Sequence, residues 1–139
     1  MFLLDTNVVS ELRKAGVGKA HPKVVAWANS VDVSRLFISA ITLMELETGV
    51  LLAERKDPAK GALLRNWLDT RVMAGFKGRI LPFAEQEALA CARLHVPDKK
   101  SEKDALICAT ALVRKMTVVT RNVDDYMATG VRIHNPWED

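Results

Sequence analysis

Short apolar runs separated by much longer helix-patterned stretches constrain this 139-residue chain more than any other feature. "FLL" after Met1, "RLFIS" from Arg35, "GRILPF" from Gly78, "TVVT" from Thr117 and "VRIH" from Val131 each have the length and character of a short buried strand. Between them lie "VVSELRK", "PKVVAWANS" with Pro22 at its first helical position, a run from Ala40 to about Arg55, and a stretch carrying Leu63, Leu64, Trp67, Leu68 and Val72. Two more helical stretches follow, "EQEALACARLH" and a run from about Glu102 to Lys115. In "KDP", Asp57 is placed to cap and Pro58 to open a helix. Parallel strands need crossover connections, which are usually helical, so this alternation predicts a parallel sheet covered on both faces. The expected fold is α/β, a central parallel sheet of about five short strands with helices on both faces, in one domain over residues 1–139.

In such sheets ligands bind beyond the carboxyl ends of the strands, where the strand order reverses. Asp5 follows the first strand and the pair Asp124 and Asp125 follows the fourth. Glu45 and Asp104 stand near the starts of helices that open at the same edge, so acids from four segments are expected to converge there. Each also has a local structural role open to it. Asp5 can cap the helix from Thr6 to Lys14, Thr42 with Glu45 and Ser101 with Asp104 match the capping-box form, and Asp124 and Asp125 suit a turn.

Helical spacing puts Asp104 on one stripe with Ile107, Cys108 and Ala111, and Glu45 on one with Ile41, Gly49 and Leu52. Both stripes are expected to face the core. A carboxylate buried there without a partner is costly or takes up a proton, and neither stripe offers a Lys or Arg. A bound cation resolves the conflict. Oxygen ligands without Cys or His suit a hard ion such as Mg²⁺ or Mn²⁺, whose natural chemistry with such a site is phosphodiester hydrolysis.

Other chemistries find little support. Cys91 and Cys108 lack CxxC spacing, His21, His95 and His134 are isolated, and no glycine-rich phosphate loop occurs. Trp27, Trp67, Phe37, Phe76 and Phe83 sit in apolar runs and read as packing residues. The net charge of +3 fits a polyanion partner but also an ordinary globular protein. "MFLLDTN" has no basic leader, and no stretch reaches the roughly 20 apolar residues of a membrane span, so a cytoplasmic protein without membrane association is expected.

Five stretches, "LLDTNVVSEL", "ISAITLMELETGV", "KDALICATAL", "TVVTRNVDDY" and "VRIHNPW", recur in the order found in one family and cover nearly the whole chain. By them the chain resembles PIN-domain ribonucleases, in particular VapC-type toxins of bacterial toxin–antitoxin pairs and their FitB-like branch. The resemblance implies a three-layer PIN-like fold and a Mg²⁺-dependent endoribonuclease, with Mn²⁺ as substitute, that hydrolyses RNA. It carries over Asp5, Glu45 in T-x-x-E-L-x-x-G, and Asp104 as metal-site acids. For the fourth acid the family pattern selects Asp125, although the doubled acid leaves Asp124 as the alternative. Asn7, Thr120 and Asn122 match polar positions that orient carboxylates or water. Implied partners are a cognate antitoxin of the VapB/FitA kind, operator DNA reached only through that antitoxin, and a second copy in a homodimer.

The chain departs from the family just before the third acid, where "PDKKSEKD" brings Lys99, Lys100 and Lys103 in place of small or apolar residues. These read either as a solvated loop or, joined by Arg13, Lys14 and Arg121, as a phosphate-steering patch for RNA. Two rival functions use the same acids: a noncatalytic metal-bearing module that binds RNA or protein, and a metal-dependent DNA nuclease or phosphatase.

Overall fold

The computed structural model describes residues Met1–Asp139. Strands β1 (Phe2–Leu4), β2 (Leu36–Ser39), β3 (Ile80–Leu81), β4 (Thr117–Val119) and β5 (Ile133–His134) form one sheet in the order β3-β2-β1-β4-β5. All four neighbouring pairs are parallel, with Leu3 facing Phe37 on one side and Val118 on the other. The expected α/β architecture is therefore present, with strands of only two to four residues. Helices α1 (Thr6–Arg13), α2 (Pro22–Ser30), α3 (Ala40–Lys56), α4 (Pro58–Trp67), α5 (Glu85–Leu94), α6 (Glu102–Arg114) and α7 (Val123–Tyr126) fill the connections.

Alternation along the strands splits the core into two layers. Leu4, Ile38 and Val119 point to one face, where Val8 and Val9 of α1, Val24 of α2 and Leu46 and Val50 of α3 cover them. Leu3, Leu81 and Val118 point to the other, against Ile107, Cys108 and Ala111 of α6 and the ring of Tyr126. Right-handed crossovers require this partition: moving leftward from β1 puts helices on one face and moving rightward puts them on the opposite one. Each fully buried Leu, Ile or Val contributes roughly 1.5–3 kcal/mol.

Local signals set the helix ends. His21 caps α2 ahead of Pro22, and Asp57 caps α4 ahead of Pro58. Lys115 ends α6 in a left-handed conformation, φ 57°, without help from a glycine. Beyond Trp67 the chain widens into a π-helical turn over Leu68–Met73 that the apolar spacing does not foretell. Glycine is required at position 61, where any β-carbon would collide with the Glu54 backbone. That close approach of α3 and α4 is clamped by Arg65, which donates to Glu47 at 2.7 and 2.6 Å and to Glu54.

Candidate active site

The strand order reverses between β1 and β4, and Asp5 lies at that point. Its amide donates to Val119 O at 2.9 Å, which extends the β1–β4 ladder by one residue and sets the position of its backbone. The carboxylate is buried, 2% exposed. Oδ1 accepts from the Thr6 amide at 2.7 Å, so Asp5 does cap α1, and Oδ2 accepts from Thr120 Oγ1 at 2.8 Å and Tyr126 OH at 3.2 Å. Thr120 Oγ1 in turn accepts from the Asn122 amide at 3.0 Å and Asn7 Nδ2 at 3.3 Å, which directs its own proton toward Asp5. Three of the sequence-picked polar residues thus act as one relay, Asn122 through its backbone.

Tyr126, which donates to Asp5, is the member the sequence did not reveal. Burial, and then the negative charges of Asp5 and Asp104, push its phenol pKa well above the ordinary tyrosine range, so it remains a donor at any physiological pH. Tyr126→Phe keeps the ring and removes the bond, and is expected to lower stability by about 1 kcal/mol in urea denaturation. An unchanged midpoint would mean that the hydroxyl does not hold Asp5 in solution.

Glu45 lies in the second turn of α3, beyond Ser39, which is the residue that caps this helix by accepting from the Ile41 amide at 3.0 Å. No capping box therefore forms at Thr42, which is buried beside Thr6. The expected stripe is also displaced. Gly49 and Leu52 face solvent, Leu52 at 64% exposure, and the core-facing stripe of α3 is Thr42, Leu46 and Val50. Apolar residues occur on nearly every side of this helix, so spacing alone does not orient it. Glu45 stands at the sheet edge with its side chain 20% exposed, where Oε1 accepts from the Thr6 hydroxyl at 2.7 Å and Oε2 pairs with Lys103 Nζ at 2.8 Å. The cation that answers this carboxylate comes from the neighbouring helix α6, not from its own stripe.

Asp104, in the first turn of α6, does share its stripe with the fully buried Ile107, Cys108 and Ala111. Ser101 occupies the cap position, yet its side chain accepts no backbone bond, so the capping-box reading fails here too. Burial raises the Asp104 pKa, and the charges of Asp125 and Asp5 raise it further; the Ser101 hydroxyl and Lys103 only partly offset them. Asp125 and Asp124 both lie exposed in α7, and it is Asp125 whose charge bears on Asp104. The pair lines a polar cavity of about 440 Å³ with Arg121, Asn122, Asn135 and Glu138.

Asp5, Glu45, Asp104 and Asp125 thus share one edge. As the side chains stand, no group of three or more His, Cys, Asp or Glu is gathered closely enough to hold a metal ion. Glu45 is engaged by Thr6 and Lys103, and Asp5 by its three donors. The donor set still fits a hard divalent cation: all ligating atoms are carboxylate oxygens, and crowding leaves Asp104 with excess negative charge around it.

The basic residues do not assemble as one patch. Arg13 stacks over Trp67 at 5.9 Å and Lys14 pairs with Glu11 at 3.2 Å, both at the far end of α1, an eight-residue helix, about 12 Å from Asp5. Arg13 borders an apolar cleft of about 480 Å³ that contains none of the acids. Lys99 and Lys100 lie in the loop before α6, where the Lys100 amide donates to His95 Nδ1 at 3.0 Å. Lys103 and Arg121, the latter over Trp137 at 5.5 Å, are the cations that border the site. The aromatic residues pack as expected, Trp27 against Phe2 and Trp67 and Phe76 on the first core layer. Cys91 and Cys108 are free, and no helix is long and apolar enough to cross a membrane.

The PIN domain family model matches residues 2–128. The chain is 37% identical to the toxin FitB of Neisseria gonorrhoeae over 144 aligned residues, with all of both chains covered. It is 37% identical over 143 aligned residues to the VapC ribonuclease Y4jK of Sinorhizobium fredii, covering 99% of each. Among solved structures, the crystal structure of FitAcB from Neisseria gonorrhoeae superposes with a TM-score of 0.90 at 35% identity, over the full length of both chains.

Proposed function

The chain belongs to the PIN-domain family, and from that premise we propose that it is a metal-dependent endoribonuclease, the toxin of a type II toxin–antitoxin pair. The observation that carries this reading is the convergence of Asp5 and Asp125 on Asp104 at the switch point of the sheet, in a chain that aligns nearly end to end with a VapC ribonuclease and with the toxin FitB. Asp5, Glu45, Asp104 and Asp125 would hold Mg²⁺, or Mn²⁺ in its place. When bound, such an ion supplies an activated water and neutralises charge that develops on the phosphoryl oxygens.

The chain's own residues prepare the site. Thr6, Thr120 and Tyr126 hold Asp5 in one orientation, which fixes this one carboxylate before a ligand arrives. Asn7 supports Thr120 from the other side. Burial, and then the charges of Asp125 and Asp5, raise the Asp104 pKa, and positive charge that enters the site favours its ionised form. Lys103 and Arg121 meet the RNA backbone at the rim, where cationic side chains neutralise phosphate. An antitoxin of the VapB/FitA kind covers this edge, presents a basic side chain to the acids and carries the pair to operator DNA. The protein works as a cytoplasmic homodimer.

The test is incubation of purified protein with structured and single-stranded RNA in Mg²⁺ and in EDTA, with sequencing of the product ends. Cleavage in Mg²⁺ that disappears in EDTA is expected. Undiminished cleavage in EDTA would sink the mechanism, and metal-dependent cutting of DNA alone would reject RNA as the substrate.

A further inference from the structure

Lys103 is part of the acid site. Its Nζ stands 2.8 Å from Glu45 Oε2, and the Thr6 hydroxyl engages Oε1 at 2.7 Å, so both oxygens of Glu45 are taken up by donors of the chain itself. Beyond its bond to Glu45, the ammonium also feels the negative charges of Asp5 and Asp104. No other Lys or Arg forms an ion pair with any of the four acids. The side chain is 53% exposed and rises from the first turn of α6, one residue before Asp104. Its flexible stem can therefore swing into solvent without disturbing the core, whose α6 contributors begin at Ala105.

Glu45 cannot serve this ammonium and a divalent ion at the same oxygen. Two cations sharing one carboxylate repel at short range, and the Glu45 side chain that both would need is only 20% exposed. We propose that Lys103 is a tethered counter-ion which occupies Glu45 in place of a divalent cation, so that metal loading requires the Lys103–Glu45 pair to open. Through this one side chain the protein sets the divalent-ion concentration at which its site fills. In the metal-free form Glu45 is then already paired, while Asp5, Asp104 and Asp125 keep their negative charge.

The inference rests on the reading of the acids as a metal site, and the experiment separates the two. Mn²⁺ is titrated into the purified full-length protein and free ion is followed by electron paramagnetic resonance, for the wild type, Lys103→Met, Lys99→Met and Asp104→Asn. Lys103→Met is expected to bind Mn²⁺ about tenfold more tightly than the wild type. Lys99→Met, which removes the same charge from the adjoining loop, should stay within about twofold, because exposed charges act weakly through solvent. No gain in Lys103→Met, or an equal gain in Lys99→Met, would overturn the counter-ion role. Asp104→Asn binding as tightly as the wild type, or no Mn²⁺ uptake by any of these proteins, would overturn the metal site itself.

Discussion

Asp104→Asn is expected to lose RNA cleavage by roughly 10²–10³-fold, the scale seen when one essential electrostatic group is removed from an active site, and yet to be more stable than the wild type in EDTA. The two effects have one origin. Partial burial, and then the charges of Asp125 and Asp5, push the Asp104 pKa upward, so without a bound cation its ionised form opposes folding. Asparagine keeps the volume and removes the charge. Because the site is partly open to solvent, the gain should be modest, roughly 0.5–1 kcal/mol.

The pH dependence follows with a definite sign. Between the ordinary aspartate range and the raised value, the folded protein binds more protons than the unfolded chain, so metal-free stability falls as pH rises through that window. The variant lacks this loss, so its advantage should be full at neutral pH and should vanish near about pH 4. Urea melts in EDTA at several pH values measure this directly. A structural cap would behave oppositely, with stability lost by about 1 kcal/mol and cleavage retained. Ser101 already makes no side-chain cap bond, so little remains for that account to explain.

How much of this was legible before the structure depends on the range of each interaction. Strands and helices alternate so regularly that the parallel sheet could be read from spacing, and Pro22 and the Asp57–Pro58 pair located helix starts without ambiguity. Asp5 and Asp104 were legible for the same reason: one ends an apolar strand and the other interrupts a stripe that really is buried. Glu45 does reach the sheet edge, but the stripe expected for it turns to solvent at Gly49 and Leu52, because α3 is apolar on both its core and its exposed sides, as Met44, Leu51 and Leu52 demonstrate. Its partner Lys103 lies 58 positions away on another helix, and helical periodicity relates residues only within one element. Tyr126 was missed for a related reason. A lone aromatic in a turn reads as core, and only the return of α7 beneath β1 turns its hydroxyl toward Asp5.

The doubled acid of α7 leaves one choice for experiment, and Asp125→Asn is expected to reduce cleavage by about 10–100-fold against less than about threefold for Asp124→Asn. Successive residues on a helix diverge by about 100°, so both carboxylates cannot address the same point. The charge of Asp125 is the one that raises Asp104, which places it nearer the other acids, while both residues border the polar cavity with Arg121 and Asn122. Since both side chains are exposed, neither substitution should change the unfolding free energy in urea by more than about 0.5 kcal/mol. Raising Mg²⁺ should restore much of the activity of Asp125→Asn, because a lost ligand weakens affinity before it alters chemistry. A larger loss at Asp124 with both proteins fully folded would transfer the fourth position to that residue. Equal losses accompanied by lowered midpoints would instead assign the pair to the folding of α7, whose first turn both carboxylates occupy next to the positive end of the helix dipole.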